Sequence, residues 1–533
     1  MKRVLWLAVI AIAAYSRSAS AVFCPALPIP QDATQQIKNC IKQAADTDKV
    51  VFLTSDHAVG ASDTLTSYAN DYPISSQIIV DGVSIIGSGV LWGSQIDINF
   101  GQGFSNTDTA NAAFVQRNGA VMDGLTFNYP VQVKGQPLIE FPPTIAVQGS
   151  FCRVKNSFFP NSYVGIDATV AHGKLNMENL EFGVYFTAIR DDQCYDIDKI
   201  FVIHGNPGMF ATWVDDSVMV NWMHQNSTFI QAGRIDWLWI KFAFAWGPKF
   251  GLNLVSSQYG ATGDAQIETF GCDACQYGVY SNIQSGSVPW LISISHAALT
   301  AFDPTTGGGS GTGIYLYGVH GVSLDSPNCW GIRNSCVQFK NVDSFGINNL
   351  KVISGGWNQA SAQQASMQGI DSSYSESMAN WNAYIKSLFK IPAIEYKAQG
   401  WNTSDSGYAL IELDNCSNGG VSLAAGDSNK SSSVGIVVNG GNNISLVANT
   451  VNVPSAPIVI ANGATNIRAV ANGGCAQDLS GSSSNRIDNL CGVVSTPTPT
   501  PTPTPVPTKN PTDPTPTPTA SPTRTPKTGP VNP

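Results

Sequence analysis

The chain is poor in charge. Only 12% of its 533 residues are Asp, Glu, Lys or Arg, against about 25% in ordinary globular domains. Its 28 basic residues are outnumbered by 37 acidic ones, for a formal net charge of -9. Both ends are basic, through Lys2, Arg3 and Arg17 at one and Lys509, Arg524 and Lys527 at the other. The body between them is therefore more acidic than the total. That argues against nucleic acid and anionic membranes as partners. It also disfavours a polyanionic substrate unless a cation bridges it. No apolar run reaches the roughly 20 residues that span a bilayer. A Gly-rich phosphate loop, a Gly-x-Ser-x-Gly elbow and a zinc-binding His pair are all missing. His204, His224 and His320 are scattered, so no metal triad is legible.

What is present begins with the ends. Lys2-Arg3, the apolar run Val4 to Tyr15 and Ala19-Ser20-Ala21 before Val22 form a secretory signal over residues 1–21. The chain is expected to be secreted, extracellular and free of membrane insertion, with cell-wall association left open. Residues 495–533 alternate Thr and Pro. They are expected to be a disordered, polyproline-like spacer that carries O-glycans or tethers the protein to a wall. Eleven cysteines in an exported chain imply disulfides. Cys24 with Cys40, Cys329 with Cys336 and Cys475 with Cys491 are close enough to staple ends and loops. Cys272-Asp273-Ala274-Cys275 reads as a local bridge or two packed thiols, and the odd count leaves at least one free thiol. Sequons stand at Asn226, Asn402, Asn415, Asn429 and Asn443, which makes a glycoprotein if the host glycosylates.

The body repeats itself. Asn443-Ile444-Ser445-Leu446-Val447-Ala448-Asn449 returns 23 residues later as Asn466-Ile467-Arg468-Ala469-Val470-Ala471-Asn472, and Asn439-Gly440 returns as Asn462-Gly463. A repeat this short cannot bury its own apolar face and must stack on the next. Its Val, Ile and Asn content, with Gly at corners, favours coils of parallel strands. Related phrases begin at Val121, Val154, Met177 and Ile197, the last three at steps of 23 and 20 residues, with later coils running through Gly346 to Val352. Asparagines at matching corners would hydrogen-bond along the axis. Tyr374 to Phe389 reads as an amphipathic helix in an insertion over 361–390.

At the start of this body, Asp32 can cap a helix bearing Ile37, Cys40 and Ile41. Val50 to Leu53, Ile78 to Val80 and Gly82-Val83-Ser84-Ile85-Ile86-Gly87 follow. This opening resembles that of the pectate-lyase superfamily. The resemblance implies a secreted, pectin-lyase-like protein, a right-handed parallel β-helix with a polysaccharide as its usual ligand. The expected fold is all-β: a single-stranded right-handed parallel β-helix over 22–494 with an N-terminal capping helix. The specific signatures do not carry over. Trp213-Val214-Asp215-Asp216 looks like the Trp-Ile-Asp-His segment of pectate lyases, but Asp216 stands in place of the His.

The strongest candidate for chemistry is a set of acids at coil spacing: Asp167, Asp191-Asp192 and Asp215-Asp216, each step 24 residues, preceded by Tyr163, Phe186 and Phe210. On equivalent strands these carboxylates would stack, and like charges about 5 Å apart demand a proton or a cation between them. One use is glycoside hydrolysis by a general acid and its neighbour. Another is Ca²⁺ binding, with Arg190, Lys199 or Arg234 abstracting a proton in a polysaccharide-lyase reaction. A third possibility is structural, with Asp191 and Asp215 bonded to backbone at corners. Asp236 lies about one coil further on. In the strand after it, alternation sets Leu238, Ile240, Phe242 and Phe244 inward and Trp237, Trp239 and Lys241 outward as a sugar platform. The expected function is cleavage of a polysaccharide by paired aspartates, with no cofactor. Ca²⁺-dependent elimination and non-catalytic glycan binding, as in an adhesin or cell-wall protein, are the alternatives.

Overall fold

The computed structural model describes residues 21–26, 31–54, 71–89, 94–132, 136–206, 217–300, 311–330, 332, 334–355, 409–428, 434–452, 457–470, 472–473 and 475–488. The signal segment, the 361–390 insertion and the Thr/Pro tail all lie outside them.

Every strand pairing between the named strands is parallel, and successive windings stack in register. In the repeat that ends the solenoid, Ile444, Ser445, Leu446 and Val447 pair with Ile467, Arg468, Ala469 and Val470. That is the 23-residue offset visible in the sequence. Among the described residues the strands form one sheet of 23 strands and one of 14. The larger sheet wraps a corner, because long strands such as Arg153–Phe159, Cys194–Gly205 and Ile235–Trp246 bend from one face to the next. The result is a parallel β-helix with a continuous apolar lumen.

The lumen is built from rows of like residues. Phe127, Phe159 and Phe182 follow one another on successive windings, with ring centroids 5.0 and 4.8 Å apart. The next position in that row is Gly205. A Cβ there would sit 2.4 Å from the ring of Phe229, which fills the space instead. The corners are turned by residues with positive φ, among them Asn156, Asn179, Asn418, Asn443 and Asn466. Their amides link coil to coil. Asn179 Nδ2 donates to Asn156 Oδ1 at 2.8 Å, Asn156 to Asp123 at 2.8 Å, and Asn443 to Asn418 at 2.9 Å. The expected asparagine ladders are present.

One ladder is internal. Asn449 is buried, donates to Val421 O and Asn472 Oδ1, and accepts the Ala424 N–H. Asn449→Ala leaves buried partners unsatisfied. It is expected to cost about 1–3 kcal/mol, measured as a loss of denaturation free energy.

The phrase beginning at Val154 does recur at Met177, but its third copy starts at Ile200, since Met177 pairs with Ile200. The step is again 23, not 20, and Ile197 lies three residues earlier in the same strand, opposite Trp237. At the front end, the helix Thr34–Ala45 buries Thr34, Ile37, Cys40 and Ala44, and Asp32 accepts the Thr34 N–H at 2.9 Å. Disulfides join Cys24 to Cys40, Cys272 to Cys275 and Cys329 to Cys336. Cys475 is also disulfide-bonded, while Cys491 lies outside the described residues. Cys152, Cys194 and Cys416 are buried free thiols. Among the described residues no helix is long and apolar enough to cross a membrane.

Candidate functional site

Asp167 and Asp191, expected to stack, do not share a row. Asp167 pairs across the rung with Arg190, and Ala168 with Asp191. The winding here takes 23 residues rather than 24, and a one-residue slip turns a side chain to the opposite face of a strand. Asp167 and Arg190 lie on the outer side, where Arg190 Nη1 is 3.0 Å from Asp167 Oδ2. The guanidinium also donates to the carbonyl and side chain of Asn106. Burial raises the pKa of Asp167 more than Arg190 and Thr169 lower it. The next rung after Asp191 is Ala232. The chain from Thr187 to Thr228 thus takes 41 residues and includes the helix Ser217–Asn226. Asp215, Asp216, Phe210 and Trp213 fall in this excursion, outside the described residues. Tyr163 and Phe186 do stack, 5.3 Å apart.

Asp191 points into the lumen and is 1% exposed. It meets His172, Asp198 and Cys194, all buried. His172 Nε2 is 2.8 Å from Asp198 Oδ2 and 3.3 Å from Asp191 Oδ1. Burial works against the imidazolium, but the hydrogen bonds and charges of Asp191 and Asp198 outweigh it and lift the His172 pKa to about 11. Burial, then the charge of Asp198, raise Asp191 to about 7. Burial and Asp198 push the Cys194 thiol up. A polysaccharide on the outside cannot reach these groups, so the stacked-acid arrangement is replaced by a closed internal cluster.

Asp192, Arg234 and Asp236 sit at the neighbouring corner. Asp192 Oδ1 accepts the Arg234 N–H at 2.6 Å and the Ser257 hydroxyl at 3.0 Å, the turn role open to an Asp at a corner. Arg234 lies 2.7 Å from Asp236, donates to Cys194 O and stacks over Tyr195. Trp237, Trp239 and Lys241 face outward. Trp237 is 43% exposed, while Trp239 is half-buried, donates to Glu268 Oε1 at 3.1 Å and has Lys199 Nζ 5.6 Å from its ring. Phe242 and Phe244 are not in the core. The strand turns its corner at Lys241-Phe242, where two consecutive residues are exposed, and the inward row resumes at Ala243 and Ala245.

The smaller sheet carries a row of aromatic and polar side chains on its outer surface. Asn253, Tyr280, Tyr315, Gln338 and Glu412 occupy one row across five windings. The adjacent outward row holds Asn282, Tyr317, Lys340 and Asp414. Val279, Ile314, Leu316, Phe339 and Leu413 on the same strands fill the lumen. Tyr280 and Tyr315 stack with centroids 5.2 Å apart, and Tyr277 lies 4.6 Å from Tyr280 and 5.5 Å from Phe250. Burial, then the neighbouring phenols, push Tyr315 up to about 12. At the end of the row Glu412 accepts from Gln338 Nε2 at 2.7 Å and from the Ala409 N–H at 3.2 Å. Its pKa is raised, chiefly by burial. Asp414 Oδ2 is 3.6 Å from Lys340 Nζ. Nothing local in the sequence marks Glu412 and Asp414, because Gln338, which bonds Glu412, is 74 residues away in the chain. The Tyr277-x-x-Tyr280 and Tyr315-x-Tyr317 spacings were the available signal.

No family model matches the chain, and no curated relative matches it. Its winding is similar to that of several solved structures. The N-terminal fragment of gene product 12 of bacteriophage Phi29 is 12% identical with a TM-score of 0.49, over 91% of this chain and 76% of that one. The DFA-IIIase of Arthrobacter chlorophenolicus A6, solved without its lid in complex with GF2, is 10% identical with a TM-score of 0.39, over 89% and 100%. Tailspike protein 3 of bacteriophage CBA120 is 10% identical with a TM-score of 0.41, over 89% and 62%. Likenesses of this size carry nothing about activity.

Proposed function

We propose that this is an exported carbohydrate-active protein that holds a polysaccharide across the outer face of the smaller sheet and hydrolyses it with Glu412 and Asp414. The observation that carries this reading is the outward tyrosine stack ending in two carboxylates with different surroundings. Flat phenol rings offer an apolar face to a sugar ring and a hydroxyl to its substituents. Amides such as Asn253, Asn282 and Gln338 beside them suit a neutral, hydroxyl-rich ligand. Groups whose environments differ are how one site supplies both an acid and a base. Glu412, whose pKa burial raises, gives its proton to the glycosidic oxygen as the carbon–oxygen bond breaks. Asp414 takes a proton from the water that forms the new bond to the anomeric carbon. The two residues are two positions apart on one strand, about 6.6 Å between Cα atoms. Both side chains leave the same outward face of the strand.

The test is incubation with neutral and acidic polysaccharides. New reducing ends without the ultraviolet absorbance of an unsaturated uronate are expected. That absorbance together with Ca²⁺ dependence would instead mean elimination. Binding with no new ends would mean a glycan-binding protein, and either outcome overturns the hydrolytic assignment.

A further inference from the structure

The internal cluster of His172, Asp191, Cys194 and Asp198 takes no part in the proposed reaction and has its own chemistry. His172 Nδ1 is 2.9 Å from Val170 O. A carbonyl only accepts, so Nδ1 carries the hydrogen. Nε2 then faces the carboxylates of Asp198 and Asp191 at 2.8 and 3.3 Å. Asp198 is oriented from behind, its other oxygen accepting the Leu175 N–H at 2.8 Å. Asp191 is 1% exposed, and its carboxylate is turned toward His172 and Asp198. The ligand atoms of His172, Cys194 and Asp198 all lie within 4.8 Å of one another.

The backbone holds the set in place. His172 and Cys194 form a parallel bridge between windings. Asp191 stands between Ala168 and Ala232 in its row, where small side chains leave it room. An imidazole nitrogen, a thiol sulfur and one carboxylate converge here, the far imidazole nitrogen is fixed by a carbonyl, and Asp191 stands beside them, 3.3 Å from His172 Nε2, where it can complete a four-ligand set for a zinc-type ion.

We propose that these four side chains bind one divalent transition-metal ion of the zinc type as a structural staple inside the solenoid. The ligands would come from three consecutive segments: the corner at His172, the strand end at Asp191, and the strand carrying Cys194 and Asp198. The ion would tie adjacent windings together at the point where the 41-residue excursion interrupts the regular coil. Because the site is enclosed, the metal enters during folding.

The test is to produce the protein in medium supplemented with Zn²⁺ or Co²⁺ and measure bound metal. Expected are about one equivalent per chain and, for cobalt, a near-ultraviolet thiolate-to-metal charge-transfer band. Cys194→Ser should abolish the band, and Asp191→Asn should lower metal content while leaving the wild-type circular-dichroism spectrum. Wild-type protein that folds in supplemented medium with no bound metal, or a cobalt spectrum unchanged by Cys194→Ser, overturns the proposal. In the first case His172 is an imidazolium bridging two carboxylates. Neither result depends on the glycan-binding face.

Discussion

Glu412→Gln is expected to reduce turnover of a bound polysaccharide by about 10²-fold or more while leaving its affinity within a few-fold of wild type. The amide keeps the shape of the carboxyl and can still accept from Gln338 or the Ala409 N–H, so folding should survive. What it removes is the proton that the leaving oxygen needs. The pH dependence follows from the same environment. Burial raises the pKa of Glu412, so the acid form persists above the ordinary glutamic range of about 4.3. Activity should be present on the acid side and fall as pH climbs through the raised value. Stability has the same sign: in that window the folded state binds a proton that the unfolded state has lost, so the stability contributed by Glu412 decreases as pH rises. A pH–rate profile for wild type and Asp414→Asn checks both roles. A descending limb at the pKa of a free glutamate would show that Glu412 is not the acid.

Phe159→Ala is expected to destabilise the protein by about 3–5 kcal/mol. Phe159 is fully buried and touches a ring on each side, Phe127 and Phe182. Truncation opens a cavity in the middle of a stack whose backbone is pinned by parallel pairing on both sides. The site therefore has little freedom to collapse. Denaturant titration should show the loss as a shifted midpoint. Phe159→Leu, which refills most of the volume, should recover more than half of it. A shift below about 1 kcal/mol would mean that the row is not packed as described.

The contrast between the legible and the illegible is physical. Coil length could be read at the C-terminal end because Ile444 and Ile467, or Leu446 and Ala469, stand in the same row with little inserted between them. The corner asparagines were legible for the same reason, since an αL position repeated on each winding selects Asn or Gly. The acid column failed by one residue. A spacing of 24 and a spacing of 23 look alike in a sequence, yet they place Asp191 in the lumen and Asp167 outside it. Two tryptophans announced an outer face at Trp237 and Trp239, but bending at Lys241-Phe242 sent Phe242 and Phe244 outward too, because strict alternation holds only between corners. His172 gave no signal. Its partners are 19 and 26 positions away, and nothing local marks an imidazole that closes across two windings. Glu412 and Tyr315 meet across Gln338 only because a long excursion of chain rejoins the sheet in register at Ile411.

The tyrosine row of the smaller sheet is the proposed seat of the glycan. The most direct measurement is glycan affinity for two double variants, Tyr280→Ala with Tyr315→Ala and Trp237→Ala with Trp239→Ala, each checked for wild-type circular dichroism. Loss of about tenfold per ring in the tyrosine variant, with the tryptophan variant close to wild type, is the expected result. Full binding after removal of both phenols, or binding abolished only by removal of the tryptophans, would contradict it.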